Sequence, residues 1–223
     1  MRPCLIVTCL GALCLLLAAC GGEALRLPGD RFAVLDRAAA RGPAPTIVVL
    51  HAAAVSGHGT RDLLRLPALA REAGFAVVFP DAAGIFWNDD ALANRAPGVL
   101  SAADDVAFLD ALLDRLVAQG IADPARIHLA GISNGGMMAL RYACLRGGRL
   151  ASLVLFHATH PAEGPPCAPP RPLPVLVLAG TEDPVLRWDG TVGLGGLVQA
   201  DRRLSVPRSF AAWRAANGCT GLA

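Results

Sequence analysis

Five short apolar runs, each stopped by Gly, Pro or Asp, restrict this chain to few architectures: residues 46–50, 75–79, 126–130, 152–156 and 175–179. Most carry no polar alternation, so they fit strands buried on both faces. Between them, residues 63–73, 102–118 and 136–145 place apolar side chains three and four apart, the spacing of one helix face. Strands alternating with helices predict a mainly parallel sheet covered by helices on both faces. Residues 31–36 add a brief strand, and 207–217 read as the start of a helix with Phe210 and Trp213 on one side. Residues 161–174 hold seven prolines and can only be a surface excursion between two strands.

At 223 residues the chain suits one domain. All twenty basic residues are Arg, scattered without a cluster, and the net charge is +2, so no nucleic-acid footprint is visible. Residues 1–20 carry Arg2 and then an apolar run from Cys4 to Ala19, the pattern of an export signal. Leu17-Ala18-Ala19-Cys20 resembles a bacterial lipoprotein signal, which implies lipidation at Cys20 and an exported chain, membrane-anchored or released. The expected division is a signal at 1–20, a spacer at 21–30 and the folded domain at 31–223. Beyond the signal, Cys144, Cys167 and Cys219 remain, which in an oxidising compartment allow one disulfide and one thiol without a partner.

Gly131-Ile132-Ser133-Asn134-Gly135 follows one predicted strand and precedes a predicted helix, the setting of a nucleophile elbow. Such a turn holds a serine hydroxyl above the sheet at a helix N-terminus, where developing negative charge is favoured. The N–H of Asn134 is then one oxyanion donor. Asp183, in Gly180-Thr181-Glu182-Asp183-Pro184 after an apolar strand, fits the acid that orients a histidine, with Glu182 the weaker substitute. No HExxH, Cys-x-x-Cys or phosphate-cradling Gly-Lys-Ser loop is present, so neither metal nor nucleotide cofactor is implied.

From about Phe32 to Cys219 the chain resembles the polyhydroxybutyrate depolymerase and feruloyl esterase group of α/β-hydrolases. The likeness rests on Leu50-His51, Gly74-Phe75 through Pro80-Asp81, Trp87-Asn88-Asp89, Asp104-Asp105-Val106, the stretch from Gly131 to Met138, Gly180 to Pro184, and Asn217-Gly218-Cys219. It implies an α/β-hydrolase fold, Ser133 as nucleophile, Asp183 as acid, and a second oxyanion N–H from the loop after His51. There the pattern expects glycine and this chain has Ala52, whose Cβ narrows the approach to a substrate carbonyl. The implied substrate is an ester of a hydroxyalkanoate, or a feruloyl or acetyl ester of plant polysaccharide. Trp87, Asn88 and Trp188, in loops at the carboxyl edge of the sheet, are candidate pocket residues alongside His51 and His160, whereas Asp104 and Asp105 open a helix and fit capping. Cys144 and Cys167 flank a strand and a loop and are the candidate disulfide.

In the resembled pattern the triad histidine follows the Asn-Gly-Cys segment, and so does a partner for Cys219. No histidine follows Asp183, and the chain ends four residues past Cys219. The expectation is therefore a hydrolase domain whose C-terminal part is missing, acting as an ester hydrolase through Ser133, or else a surface lipoprotein that only binds. His157 and His160 follow the strand at 152–156 and leave the sheet on the edge of Ser133, reading better as pocket wall than as base. His58 lies in a Gly-rich turn, and His128 inside a strand reads as packing.

Overall fold

The computed structural model describes residues 22–90, 103–164, 167–193 and 203–221. Seven strands form one sheet: β1 (Glu23–Leu27), β2 (Arg31–Asp36), β3 (Ala44–Leu50), β4 (Ala76–Pro80), β5 (Ala122–Ile132), β6 (Ser152–Phe156) and β7 (Val175–Leu178). Their order is β1-β2-β4-β3-β5-β6-β7. β1 and β2 pair antiparallel, as do β2 and β4, and every other neighbouring pair is parallel. The helices are α1 (Gly57–Leu64), α2 (Leu66–Glu72), α3 (Asp105–Ala118), α4 (Asn134–Arg146) and α5 (Val206–Ala216).

The pleat divides the apolar runs between two layers. Val48, Leu50, Val78, Leu129, Leu153 and Leu155 point to the face covered by α3 and α4, where they meet Leu109, Leu112, Leu116 and Met138. Val49, Val77, Phe79 and Ala130, one residue out of phase, turn to the other face and pack with Ala70 of α2. Uninterrupted apolar strands are therefore required, because both faces are covered.

Two expectations need correction. The stretch read as a spacer at 21–30 contains β1, whose Leu25 and Leu27 are buried in the larger core. The single helix expected at 63–73 is two, because Arg65 takes a left-handed conformation (φ 50°) that ends α1 and starts α2. Pro67 in the first turn of α2 suits a helix start, where its missing N–H costs nothing.

A buried ion pair joins the antiparallel flank to α3. The Arg31 guanidinium donates to Asp105 Oδ1 at 2.6 Å and to the Asp81 carbonyl at 3.0 Å, and it lies over the Phe108 ring. Asp105 Oδ2 accepts the Asn88 N–H at 2.7 Å, so this carboxylate is fully used, while Asp104 caps α3 by accepting the Ala107 N–H. Asp105→Ala, which strands the buried cation, is expected to lower the unfolding free energy by about 3–5 kcal/mol in urea titrations, and Arg31→Met with Asp105→Leu to recover most of that loss.

Candidate active site

Three successive parallel strands each deliver one residue to the same edge of the sheet: Ser133 just after β5, His157 just after β6, and Asp183 beyond β7. Carboxyl ends of parallel strands open where no further backbone pairing is needed, which is why sites of this architecture collect there.

Ser133 sits in a strained conformation, φ 53° and ψ −119°. Such a backbone costs about 1–3 kcal/mol and persists only where surrounding structure enforces it. Its N–H donates to the Phe156 carbonyl at 2.8 Å, and its carbonyl accepts the Met137 N–H at 2.9 Å, fixing the turn from β5 to α4 against the end of β6. Packing explains the flanking glycines. A Cβ at Gly131 would stand 2.2 Å from the Gly135 carbonyl oxygen, and one at Gly135 would stand 2.3 Å from that of His51. The first turn of α4 thus lies directly on the end of β3, and Asn134, as first helical residue, has an N–H with no intrahelical acceptor.

Asp183 is held from three directions. Its Oδ1 accepts the N–H groups of Val185 at 2.8 Å and Leu186 at 3.1 Å, and its Oδ2 lies 2.5 Å from His157 Nδ1. Burial raises the carboxyl pKa, but the two N–H groups and the histidine outweigh it, and the net position is below the ordinary carboxylate value. His157 has φ 50°, its N–H donates to the Leu178 carbonyl at 2.9 Å, and its ring is about half exposed. Ser133, His157 and Asp183 line one cleft of about 600 Å³ with Thr181 and Leu186. A second cleft of about 500 Å³ shares Thr181 to Pro184 with it and is bounded by Arg187 and the exposed ring of Trp188.

The imidazole on Asp183 therefore comes from a residue preceding it in the chain, where the resemblance implies one that follows it. Reading His157 as pocket wall missed this contact. The signal was present in the strand order, since a residue leaving β6 must emerge between the residues leaving β5 and β7.

Other candidates are placed behind the cleft rather than in it. His51 is buried: its Nε2 accepts the Ala82 N–H at 3.0 Å and its Nδ1 donates to the Ala52 carbonyl at 2.8 Å, which fixes a neutral ring, and burial lowers its pKa. Trp87 is fully buried and its indole N–H donates to the His51 carbonyl at 3.1 Å. Asn88 is spent on the start of α3, donating its amide to the Ala103 carbonyl. His160 is buried against Ser209 and the Trp213 ring, and burial followed by the Arg203 charge pulls its pKa down to about 4. These four were expected at the pocket and instead support it. Ala52 stands partly exposed after β3, Cys144 and Cys167 are joined in a disulfide, and Cys219 is a free exposed thiol. Cys20 and the expected signal lie outside the described residues.

The side chain of Asn134 clamps the Ser133 turn to the Trp87 loop, its Oδ1 accepting the Trp87 N–H at 2.7 Å and its Nδ2 donating to the Trp87 carbonyl at 3.1 Å. Asn134→Ala keeps the main-chain N–H but strands two buried backbone groups, so a loss of about 2–3 kcal/mol is expected in chemical unfolding.

No protein-family model matches the chain. Among curated proteins it is similar to "Feruloyl esterase B" of Piromyces equi, 33% identical over 124 residues covering 53% of this chain and 23% of that protein. It is also similar to "Putative esterase NocK" of Nocardia uniformis subsp. tsuyamanensis, 30% identical over 148 residues, 66% of this chain and 42% of that one. The chain thus spans less than half the length of either relative. Among solved structures, a thermostable esterase superposes with a TM-score of 0.63 at 13% identity, over 88% of this chain and 52% of the other. With the strand order and the strained serine turn, this likeness defines the architecture: the chain has the α/β-hydrolase fold.

Proposed function

We propose that this chain is a serine ester hydrolase whose catalytic set is Ser133, His157 and Asp183. The observation that carries the reading is the 2.5 Å contact between His157 Nδ1 and the Asp183 carboxylate in the cleft that Ser133 lines. A carboxylate on one ring nitrogen holds the imidazole in the tautomer whose other nitrogen can take a proton. Ser133 Oγ attacks the ester carbonyl carbon while its proton passes to His157 Nε2. The N–H groups of Asn134 and Ala52 hold the oxyanion. Collapse expels the alcohol, which takes the proton from His157, and water then releases the acid by the same steps in reverse. The curated relatives named as esterases support ester hydrolysis in general. The substrate class follows the resemblance: feruloyl or acetyl esters of polysaccharide, or polyhydroxyalkanoate esters.

A fluorophosphonate probe tests the set. The chain is expected to label at Ser133 and Ser133→Ala not at all, whereas His157→Gln and Asp183→Asn label about 10²- to 10⁴-fold more slowly. Absence of labelling in the folded chain would favour a protein that only binds.

Export and lipid anchoring through Cys20 belong to the same reading and rest on the Arg2-to-Cys20 pattern. In a bacterial host, radiolabelled palmitate is expected to enter the chain and to be lost in Cys20→Ala; equal incorporation in that variant would remove the anchor from the account.

A further inference from the structure

The cluster behind the active-site loop has a chemistry that ester hydrolysis does not use. The sulfurs of Cys144 and Cys167 and a ring nitrogen of His160 all lie within 4.8 Å of one another. They come from three elements: Cys144 from α4, His160 from the loop after β6, and Cys167 from the proline-rich loop. The sulfurs are joined as a disulfide.

His160 is only 5% exposed, and its Nε2 has no hydrogen-bond partner. An orphaned buried ring nitrogen is uncommon, because burial removes water and nothing repays the loss. Its orientation is not accidental. Nδ1 lies 2.7 Å from Ser209 Oγ, the same oxygen that accepts the His160 backbone N–H at 3.1 Å. With the proton on Nδ1, Ser209 Oγ accepts both groups and Nε2 keeps a free lone pair. Ring packing against Trp213, with centroids 5.3 Å apart, holds the plane. A fixed, neutral imidazole with one nitrogen anchored and the other bare, in a ring that has a nitrogen within 4.8 Å of two sulfurs, is how proteins prepare a metal ligand.

We propose that Cys144, Cys167 and His160 form a redox-gated site for one thiophilic divalent cation such as Zn²⁺, closed by the disulfide and opened by its reduction. A dithiol reductant supplies two electrons and two protons, breaking the S–S bond to give two thiols and itself becoming a disulfide. The cation then displaces both thiol protons to water and takes two thiolates and the neutral imidazole, with water as fourth ligand. Charge balances, since two thiolates neutralise a dication next to Arg203, whose own charge is matched by Asp89 at 2.6 Å. Geometry is within reach: with Zn–S of about 2.3 Å, two sulfurs on a tetrahedral ion stand about 3.8 Å apart, so reduction asks for sulfur movement of about 2 Å. Both cysteine side chains rotate about the fixed His160 ring, which also brings each sulfur to the N···S separation of about 3.6 Å that a tetrahedral ion sets. Disulfide and cation are thus alternative staples holding the proline-rich loop to α4. The inference is independent of the ester-hydrolase reading.

The test uses the full chain with Cys4, Cys9, Cys14, Cys20 and Cys219 changed to Ser, so that the only thiols are those of the site. After reduction by a phosphine and its removal under anaerobic conditions, Co²⁺ is added as the probe. One equivalent is expected to bind with thiolate-to-cobalt charge transfer and the intense visible bands of tetrahedral cobalt, and Zn²⁺ to bleach them. The oxidised chain is expected to show neither. His160→Ala and the more conservative His160→Gln are each expected to weaken binding by about a hundredfold or more and to change the visible bands, with far-ultraviolet circular dichroism checking that each is folded. A reduced, folded chain without the charge-transfer band, or bands that both histidine variants leave unchanged, would overturn the proposal.

Discussion

Everything at the candidate site depends on one close approach of backbone to backbone. The first turn of α4 rests on the end of β3 so tightly that no Cβ fits at Gly135, and Gly131 is barred from one by that same turn. Ser133 accepts its strained φ and ψ because its neighbours on both sides are pinned, and it is tied to β6 through the Phe156 carbonyl. The helix N-terminus, the end of β3 and the end of β6 therefore form a tightly packed corner, and that corner sets where the Ser133 hydroxyl and the Asn134 N–H stand.

Polar groups buried behind the corner keep it from opening. Asn134 is bonded both ways to Trp87, Trp87 to the His51 carbonyl, and His51 to the Ala82 N–H, so the β3, β4 and β5 ends are joined by a chain of satisfied groups. The Arg31–Asp105 pair extends this to α3 and the antiparallel flank, with the Asp105 carboxylate also holding Asn88. In a site surrounded by low-dielectric core, each of these bonds is costly to lose, and the network fixes geometry more than it adds stability. The Asn217 side chain makes a similar two-way clamp on Leu173, docking the proline-rich loop against the end of α5.

Much of the fold was legible because sheet and helix periods differ. Residues 152–156 were read to the residue as β6, and the runs at 46–50, 75–79 and 175–179 differ from β3, β4 and β7 by a residue or two at their ends. The serine turn was legible because close approach leaves a glycine signature. β1 was missed because only Leu25 and Leu27 of its five residues are buried and it follows closely on the apolar run from Cys4 to Ala19. The break at Arg65 carries no composition signal of its own, although Pro67 marks the start of α2. His51, Trp87, Asn88 and His160 were assigned to the pocket from their place in the chain, which says which edge of the sheet a residue reaches but not which way its ring turns. His157 was undervalued for the opposite reason: order along the chain was weighed above order across the sheet, and only the latter sets it beside Asp183.

The account turns on whether His157 serves as the base for Ser133, and chemical rescue tests this most directly. His157→Gly, folded by circular dichroism, should react with a fluorophosphonate very slowly, and added imidazole should restore the rate in a saturable manner, with Asp183→Asn in the same background abolishing the rescue. If His157→Gly reacts as fast as the unaltered chain and imidazole changes nothing, Ser133 is activated by some other group, and the Ser133-His157-Asp183 set is wrong.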